Sequence, residues 1–209
     1  MIEIKSYDLK DYSIFDSEKE SDFFIWQPDK TYIVLGRSNK IAQDSVHLDH
    51  ANKNGIDIFK RPSGGEAVIL TPNTLVLSVK LPLKDKIKTH QYFKLINNAL
   101  ISALSKLGIK QLGNKGISDI SIGAKKILGS SIYRKHHTLF YHAVLNISEP
   151  IENISLYLKH PKKEPDYRLG RDHEEFVTSL HKEGYIFTFK ELSNQIQQTI
   201  TKLITELGA

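Results

Sequence analysis

Apolar positions along the chain switch between two periods, and each switch marks an element. Phe23 to Trp26 and Tyr32 to Leu35 are short aromatic and β-branched runs, predicting two strands about a Pro28-Asp29 turn. Asp44 to Asn52 carries Val46 and Leu48 ahead of Asn54-Gly55, which predicts a helix and its stop. Ile56 to Lys60 and Ala67 to Leu70 predict strands on either side of Ser63-Gly64-Gly65, with Thr74 to Leu81 continuing the same sheet. From Gln91 to Leu107 the period becomes helical, with Phe93, Ile96, Leu100, Leu104 and Leu107 on one face and Gly108 closing it.

Ile117 to Ile122, Lys126 to Arg134 and Thr138 to Ile147 predict a second group of strands, and Ile151 to Leu158 a short helix. Thr188 and Glu191 spell a capping box for a last helix striped by Leu192, Ile196, Ile200, Leu203 and Leu207. Both stripes are expected to face the core rather than a partner. Strands, helix, strands, helix in that order predict one α+β domain over residues 1–209. Tyr157 to Arg171 breaks the pattern: rich in proline and charge and without a period, it predicts a long loop carrying Tyr167, Arg168 and Arg171, with His173 just beyond.

Composition narrows the class. With 209 residues and 40% hydrophobic content, the chain can build a sizeable core without disulfide or metal staples. No apolar run approaches the ~18 residues that span a bilayer. Met1 to Lys5 lacks the basic-then-apolar order of a signal peptide, so a cytoplasmic protein with no membrane partner is expected. The net charge of +5 invites nucleic acid, but 29 basic residues are interspersed with 24 acidic ones and no recognition signature accompanies them. The expectation is no nucleic acid, and either a mixed solvated surface or a basic face for an acidic protein. Absence of cysteine excludes a disulfide framework, a thiolate zinc site and a cysteine nucleophile. His47 and His50 share a helical spacing but have no third ligand in an evident motif.

Candidate chemistry begins at Phe59 to Leu70, where Lys60-Arg61 leads into Ser63-Gly64-Gly65. Two glycines can turn backbone N–H groups toward an anion, and Arg61 can add a bidentate charge. An ordinary hairpin corner would read the same way. A second element, Gly116 to Ser131, follows about sixty residues on and contains Ser118-Asp119 and Lys125-Lys126. Adjacent lysines on a strand face opposite sides, so only one of this pair can enter a pocket. His142 lies on an apolar strand, where a satisfied core histidine and a site residue are equally expected.

Together these stretches resemble the lipoate–protein ligase A family, within the biotin/lipoate ligase superfamily that includes lipoyl and octanoyl transferases. The family loop Arg-Arg-x-Ser-Gly-Gly-Gly-Ala-Val is similar to Lys60 to Val68 here. Its Asn-Asp-Ile and Lys-(Ile/Val)-Ser-Gly-Ser-Ala motifs are similar to Ser118-Asp119-Ile120 and to Lys126 through Ser131, and its His-Gly-Thr-Leu-Leu strand to His142 through Asn146. Trp26-Gln27-Pro28 and Leu35 to Asn39 also match by position, so the likeness runs from Trp26 to the C-terminus.

The resemblance implies a single biotin/lipoate ligase-like catalytic domain with mixed sheets and helices; bacterial members usually carry a further C-terminal domain, and since this chain stops after its last helix no C-terminal accessory domain is expected. It implies activation of lipoate or octanoate by ATP as an acyl-AMP, then transfer to a lysine of a lipoyl carrier domain of the E2 or glycine-cleavage H type. Lys126 is implied as the catalytic lysine, stabilising charge between phosphate and carbonyl; one such pair at ~4 Å is worth about 4 kcal/mol before desolvation. Asp119 is implied as the Mg²⁺ ligand. Arg61, Ser63, Gly64, Gly65, Ala67, Val68, Ser118, Gly129, Ser130 and His142 are implied as the substrate and nucleotide site. The acyl tail would lie between the sheet and the Gly-Gly turn. The loop to Arg171 would be either a disordered connector or a segment that closes over nucleotide or meets the carrier.

Glu66 stands where the family has a third glycine; facing inward it would repel phosphate, and facing outward it would not. Three rivals accompany the ligase reading. Related octanoyltransferases use a cysteine that this chain lacks, leaving them only a direct transfer. A split ligase would need a separate accessory subunit, and a binding module would keep the fold without the activation. Biotin ligation lacks its glycine- and arginine-rich loop here.

Overall fold

Burial of the central strands sorts the chain into two stacked sheets. The computed structural model describes residues 3–207, so the expectations that rest on Met1, Ile2, Gly208 and Ala209 lie outside the described residues. The first sheet runs β1 (Ile4–Ser6), β4 (Asp57–Lys60), β3 (Tyr32–Leu35), β5 (Val68–Leu70), parallel except for the β3–β5 pair. The second is antiparallel throughout and runs β2 (Asp22–Trp26), β6 (Thr74–Pro82), β10 (Thr138–Asn146), β9 (Lys125–Lys135), β8 (Asp119–Ile122), β7 (Leu112–Lys115).

One face of the second sheet carries Leu75, Leu77, Val79, Tyr141 and Ala143 against two helices, α2 (Thr89–Lys106) and α5 (Phe189–Glu206). The opposite face brings Trp26 and Val76 against Tyr32, Val34, Phe59 and Leu70 of the first sheet. Beyond that sheet, Ile33, Leu35 and Ile58 meet Ala51 of α1 (Leu48–Lys53) and Ile154 of α3 (Ile151–Tyr157), which lies beside the one-turn α4 (His173–Phe176). At about 1.5–3 kcal/mol per buried side chain, these layers make the two helical stripes core faces, as their period predicts. The capping box forms as spelled: Thr188 Oγ1 accepts from Glu191 N at 3.2 Å and Glu191 Oε2 accepts from Thr188 N at 2.8 Å.

Two expectations need correction. β6 joins the second sheet, not the sheet of the Gly-Gly strands, because alternation fixes which face is buried but not which strand is the neighbour. The helix expected over 44–52 is a 3₁₀ turn at Ala42–Asp44 followed by the shorter α1. A bridge from Val46 to Leu158, with His47 N donating to Tyr157 O at 2.9 Å, interrupts the helix between the two. Strands β1 and β7, and a 3₁₀ segment at Lys10–Phe15, carry no clear period and escape the sequence reading.

Candidate active site

β4 and β5 lie on opposite sides of β3, so the Ser63-Gly64-Gly65 segment crosses the end of β3 and is not a hairpin corner. That crossing fixes Gly36: a Cβ there would sit 1.9 Å from Gly65 O. Of the two loop glycines, Gly65 alone takes a positive φ, +91°. Arg61 points into the loop. Its Nε donates to Ser63 Oγ at 3.0 Å, Nη1 to Val34 O at 3.1 Å, and Nη2 to Gly64 O and Glu66 O at 2.8 and 2.9 Å. Burial lowers this guanidinium to about 10, against the pull of Tyr7 and Glu66, so it stays charged at neutral pH. Expected as an anion clasp, Arg61 instead spends four N–H donors on holding the loop's shape.

Ser63 Oγ meets Ser131 Oγ at 3.0 Å, which ties the loop to β9 of the other sheet. Val68 packs into the layer between sheets, while Ala67 packs on the outer side. The Glu66 carboxylate accepts from Asn39 Nδ2 at 3.1 Å, and Asn39 also reaches Ser45 on the outer layer. Glu66 thus turns toward the outer layer.

The second element is organised by a β-bulge. Ile120 pairs Leu128 and Ser121 pairs Lys126, leaving Ile127 as an extra residue. Residues three apart on a regular strand face opposite sides; the extra residue places Lys126 and Gly129 on one face and lets Ile127 and Leu128 both be buried. Lys126 then lies across Gly129, where a Cβ would sit 2.7 Å from Nζ and 2.8 Å from Cε. Nζ ends 2.9 Å from Asp119 Oδ1; the aspartate side chain is 7% exposed and the lysine 29%.

Ser118 and Ser130 brace this pair, with Ser130 Oγ donating to Ser118 O at 2.6 Å and Ser118 Oγ lying 3.4 Å from Asp119 Oδ1. The long loop closes the other side. Tyr167 O–H donates to Asp119 Oδ2 at 2.8 Å, and burial, then the Asp119 charge, push its hydroxyl well above the ordinary value. A Cβ on Gly116 would lie 3.3 Å from Pro165 Cβ, so the turn before Asp119 is stacked on this loop. Arg168 and Arg171 hold the loop from within: their guanidinium carbons sit 4.7 and 5.3 Å from the Phe176 ring, and Arg171 Nη2 donates to Tyr167 O at 2.8 Å. His173 lies part-buried against Lys159 O, and burial lowers its basicity.

His142 sits apart from the lysine, with Nδ1 3.1 Å from Ser78 Oγ and 3.3 Å from Asp11 Oδ2. Asp11 also accepts from Tyr7 O–H at 2.7 Å and Ser78 Oγ at 2.5 Å. Burial alone would raise its pKa; the hydrogen bond and charge of His142, with the Ser78 and Tyr7 bonds, outweigh burial and hold it low. Asp11, Tyr7 and Ser78 escaped the sequence reading, and the four-residue spacing of Tyr7 and Asp11 was their only trace.

As a Mg²⁺ site the arrangement fits in a limited sense. Among the described residues no group of three His, Asp or Glu could cage a metal. Asp119 fits as a single carboxylate, the arrangement in which Mg²⁺ takes its other ligands from water and substrate phosphate.

A family model described as the lipoyl protein ligase A/B catalytic domain matches residues 8–201. The chain belongs to this family. Its similarity to lipoate-protein ligase A subunit 1 of Thermoplasma acidophilum is 25% identity over 184 residues, covering 84% of this chain and 69% of that one. Further relatives, named as lipoate-protein ligases or octanoyltransferases, are spanned over 39% to 64% of their own length. The fold is that of the family's solved members. A bi-partite lipoate protein ligase of T. acidophilum, studied with its E2 lipoyl domain, superposes with a TM-score of 0.79 at 21% identity, over 98% of this chain and 85% of that one. Lipoate-protein ligase A bound with ATP superposes with a TM-score of 0.77 at 22% identity, over 93% and 78%. No helix among the described residues is long and apolar enough to cross a membrane.

Proposed function

We propose that this chain is an acyl-adenylate-forming ligase that attaches lipoate or octanoate to a lysine of a lipoyl carrier domain. The observation that carries the reading is Lys126, laid over Gly129 and held on Asp119 inside the ligase-family fold. In the first step the acid's carboxylate oxygen bonds to the α-phosphorus of ATP and pyrophosphate leaves. In the second the carrier amine bonds to the acyl carbon and AMP leaves. Negative charge builds beside the acyl carbonyl in both, and a fixed ammonium there stabilises it more than solvent would. Exchange of Asp119 for phosphate oxygen as the partner of Nζ keeps the charge paired throughout. Asp119 would hold Mg²⁺, which supplies charge neutralisation on the phosphates. Arg61 preserves the loop whose Gly64 and Gly65 face the anion, and the Tyr167 loop closes the site against water.

ATP and the carrier enter this reading from relatives: one solved ligase binds ATP and another was studied with its E2 lipoyl domain. A split enzyme is a second reading, since the T. acidophilum relative is a subunit 1. Octanoyl transfer is also represented among relatives, and with no cysteine in this chain it would proceed by direct transfer. Intact mass of an apo lipoyl domain after incubation with the protein, Mg-ATP and lipoate tests these together. A gain of one lipoyl group that needs both ATP and Lys126 supports the ligase; a gain only from an octanoyl-carrier donor without ATP moves the reading to transfer. A gain that needs an added accessory subunit selects the split enzyme, and no gain under any of these conditions sinks the proposal.

A further inference from the structure

Two side chains that the mechanism does not use stand at the mouth of the site. Leu169 and Ile117 are 82% and 73% exposed, and with Ile186 they are the most exposed large apolar residues among those described. Single exposed apolar residues are ordinary. These two are neither scattered nor cheaply placed. Ile117 comes two residues before Asp119, and Leu169 two after Tyr167, whose O–H donates to Asp119. Each is therefore separated by at most about 7 Å of chain from a group at the site. The two tips also share one surface: a Cβ on Gly116 would lie 3.3 Å from Pro165 Cβ and 3.5 Å from Tyr167 Cε1.

Leu169 carries a backbone cost. Its φ and ψ are +55° and +38°, the left-handed region that leucine seldom takes. The chain around it enforces that conformation. Arg168 Nε donates to Arg171 O at 2.8 Å and Arg171 Nε to Arg168 O at 3.0 Å, closing a ring across Leu169 and Gly170. Gly170 N donates to Glu164 Oε1 at 2.8 Å and fixes the tip a second time. A strained residue so firmly held, with its apolar side chain in water, points to a contact made by something outside the chain.

We infer that Ile117 and Leu169 form the apolar contact that seats the carrier domain while its lysine reacts. This rests on the ligase reading above. Reach identifies the occupant. An extended lysine spans about 6 Å from Cα to Nζ, so carrier backbone must come that close to an acyl carbon held at Lys126. Asp119 marks that point, 2.9 Å from the Lys126 ammonium, and both tips rise from the chain beside it. A folded domain that delivers its amine there lies over the tips and buries them against an apolar side chain beside its own lysine. A small amine reaches the same carbon without touching either tip.

The test reads three quantities on the same protein: lipoate-dependent exchange of pyrophosphate into ATP, trapping of acyl-AMP by hydroxylamine, and acyl transfer to apo lipoyl domain. The variants are Ile117→Ser and Leu169→Asn; asparagine tolerates the left-handed backbone, so the loop keeps its shape. Each is expected to raise KM for the lipoyl domain about tenfold, and the pair about a hundredfold, with exchange and hydroxamate formation unchanged. Ile186→Ser, between Tyr185 and Phe187 that pack on the helical core, is expected to change none of the three. An unchanged KM in the folded double variant overturns the inference. So does an equal rise in Ile186→Ser, and so does loss of exchange in a folded Ile117 or Leu169 variant, which would assign these side chains to activation. Exchange with a KM indifferent to both tips sinks this inference alone, whereas neither exchange nor transfer in the unaltered protein sinks the ligase reading and this inference with it.

Discussion

Arg61 and Lys126 are both cations beside glycine, yet the structure uses them in opposite ways. Arg61 is 7% exposed and its donors end on carbonyls and a hydroxyl of its own loop and of β3. Lys126 is nearly a third exposed and has one ionic partner, on a carboxylate that Tyr167 and Ser118 also hold. The glycines differ as well. Gly36 exists so that backbone can cross backbone; Gly129 exists so that one flexible side chain can lie flat. A cation with four of its five N–H donors turned inward keeps a loop in shape. A cation paired once, at a surface and over a glycine groove, can exchange that partner for a substrate anion. We propose that the first serves stability and the second chemistry.

Substitution separates the two. Lys126→Ala is expected to reduce acyl transfer by at least a thousandfold, about 4 kcal/mol of transition-state stabilisation, while the melting temperature moves by only a few degrees. Single-turnover kinetics and a thermal melt of the same sample check it; a large loss of stability would show Lys126 to be a second structural cation. Arg61→Ala should do the reverse. It strands the buried Val34 O and removes the donor from the part-buried Gly64 O and Glu66 O, which costs about 3 kcal/mol. Denaturant unfolding should show the loss, and added inorganic phosphate should fail to restore it if Arg61 holds the loop rather than an anion.

The same contrast explains what could be read in advance. Helical stripes and the capping box are local patterns, so α2 and α5 were visible from residue spacing alone. The pattern of residues showed the long loop of Tyr167 and that one of Lys125 and Lys126 could enter a pocket; the preference for Lys126 and the part given to Asp119 came from the likeness to the family motifs. The inward turn of Arg61 was not visible, since a basic residue before two glycines reads the same whether its donors face a ligand or the chain. Neither was the sheet that β6 joins, because its alternation is equally satisfied in either. Asp11 was the least legible: two of its three side-chain partners, Ser78 and His142, lie on strands far along the chain, and the segment around it has no period that announces burial.

Gly129→Ala tests the groove itself. The new Cβ meets Nζ and Cε, not backbone, so the lysine is expected to move and the strand to stay. A displacement of about 1 Å at a charge-stabilising group can cost a hundredfold, and that is the loss expected in transfer, with circular dichroism and unfolding near wild type. An unaffected rate would mean that Lys126 need not lie over Gly129 to work.

Tyr167→Phe carries the smallest expected effect. It removes one donor from Asp119 Oδ2 and leaves the ring packed against Phe176, 5.0 Å away. Asp119 retains Lys126, so the loss should be about tenfold, roughly 1.4 kcal/mol. Its distribution between the two half-reactions is the informative part. If Tyr167 fixes Asp119 for activation, pyrophosphate release slows and transfer from preformed acyl-AMP does not. If the tyrosine holds the loop shut against the carrier instead, activation is unchanged and transfer becomes faster. The second outcome would turn the contact from a brace into a latch, and the loop of Arg168 and Arg171 into the part that moves when the carrier arrives.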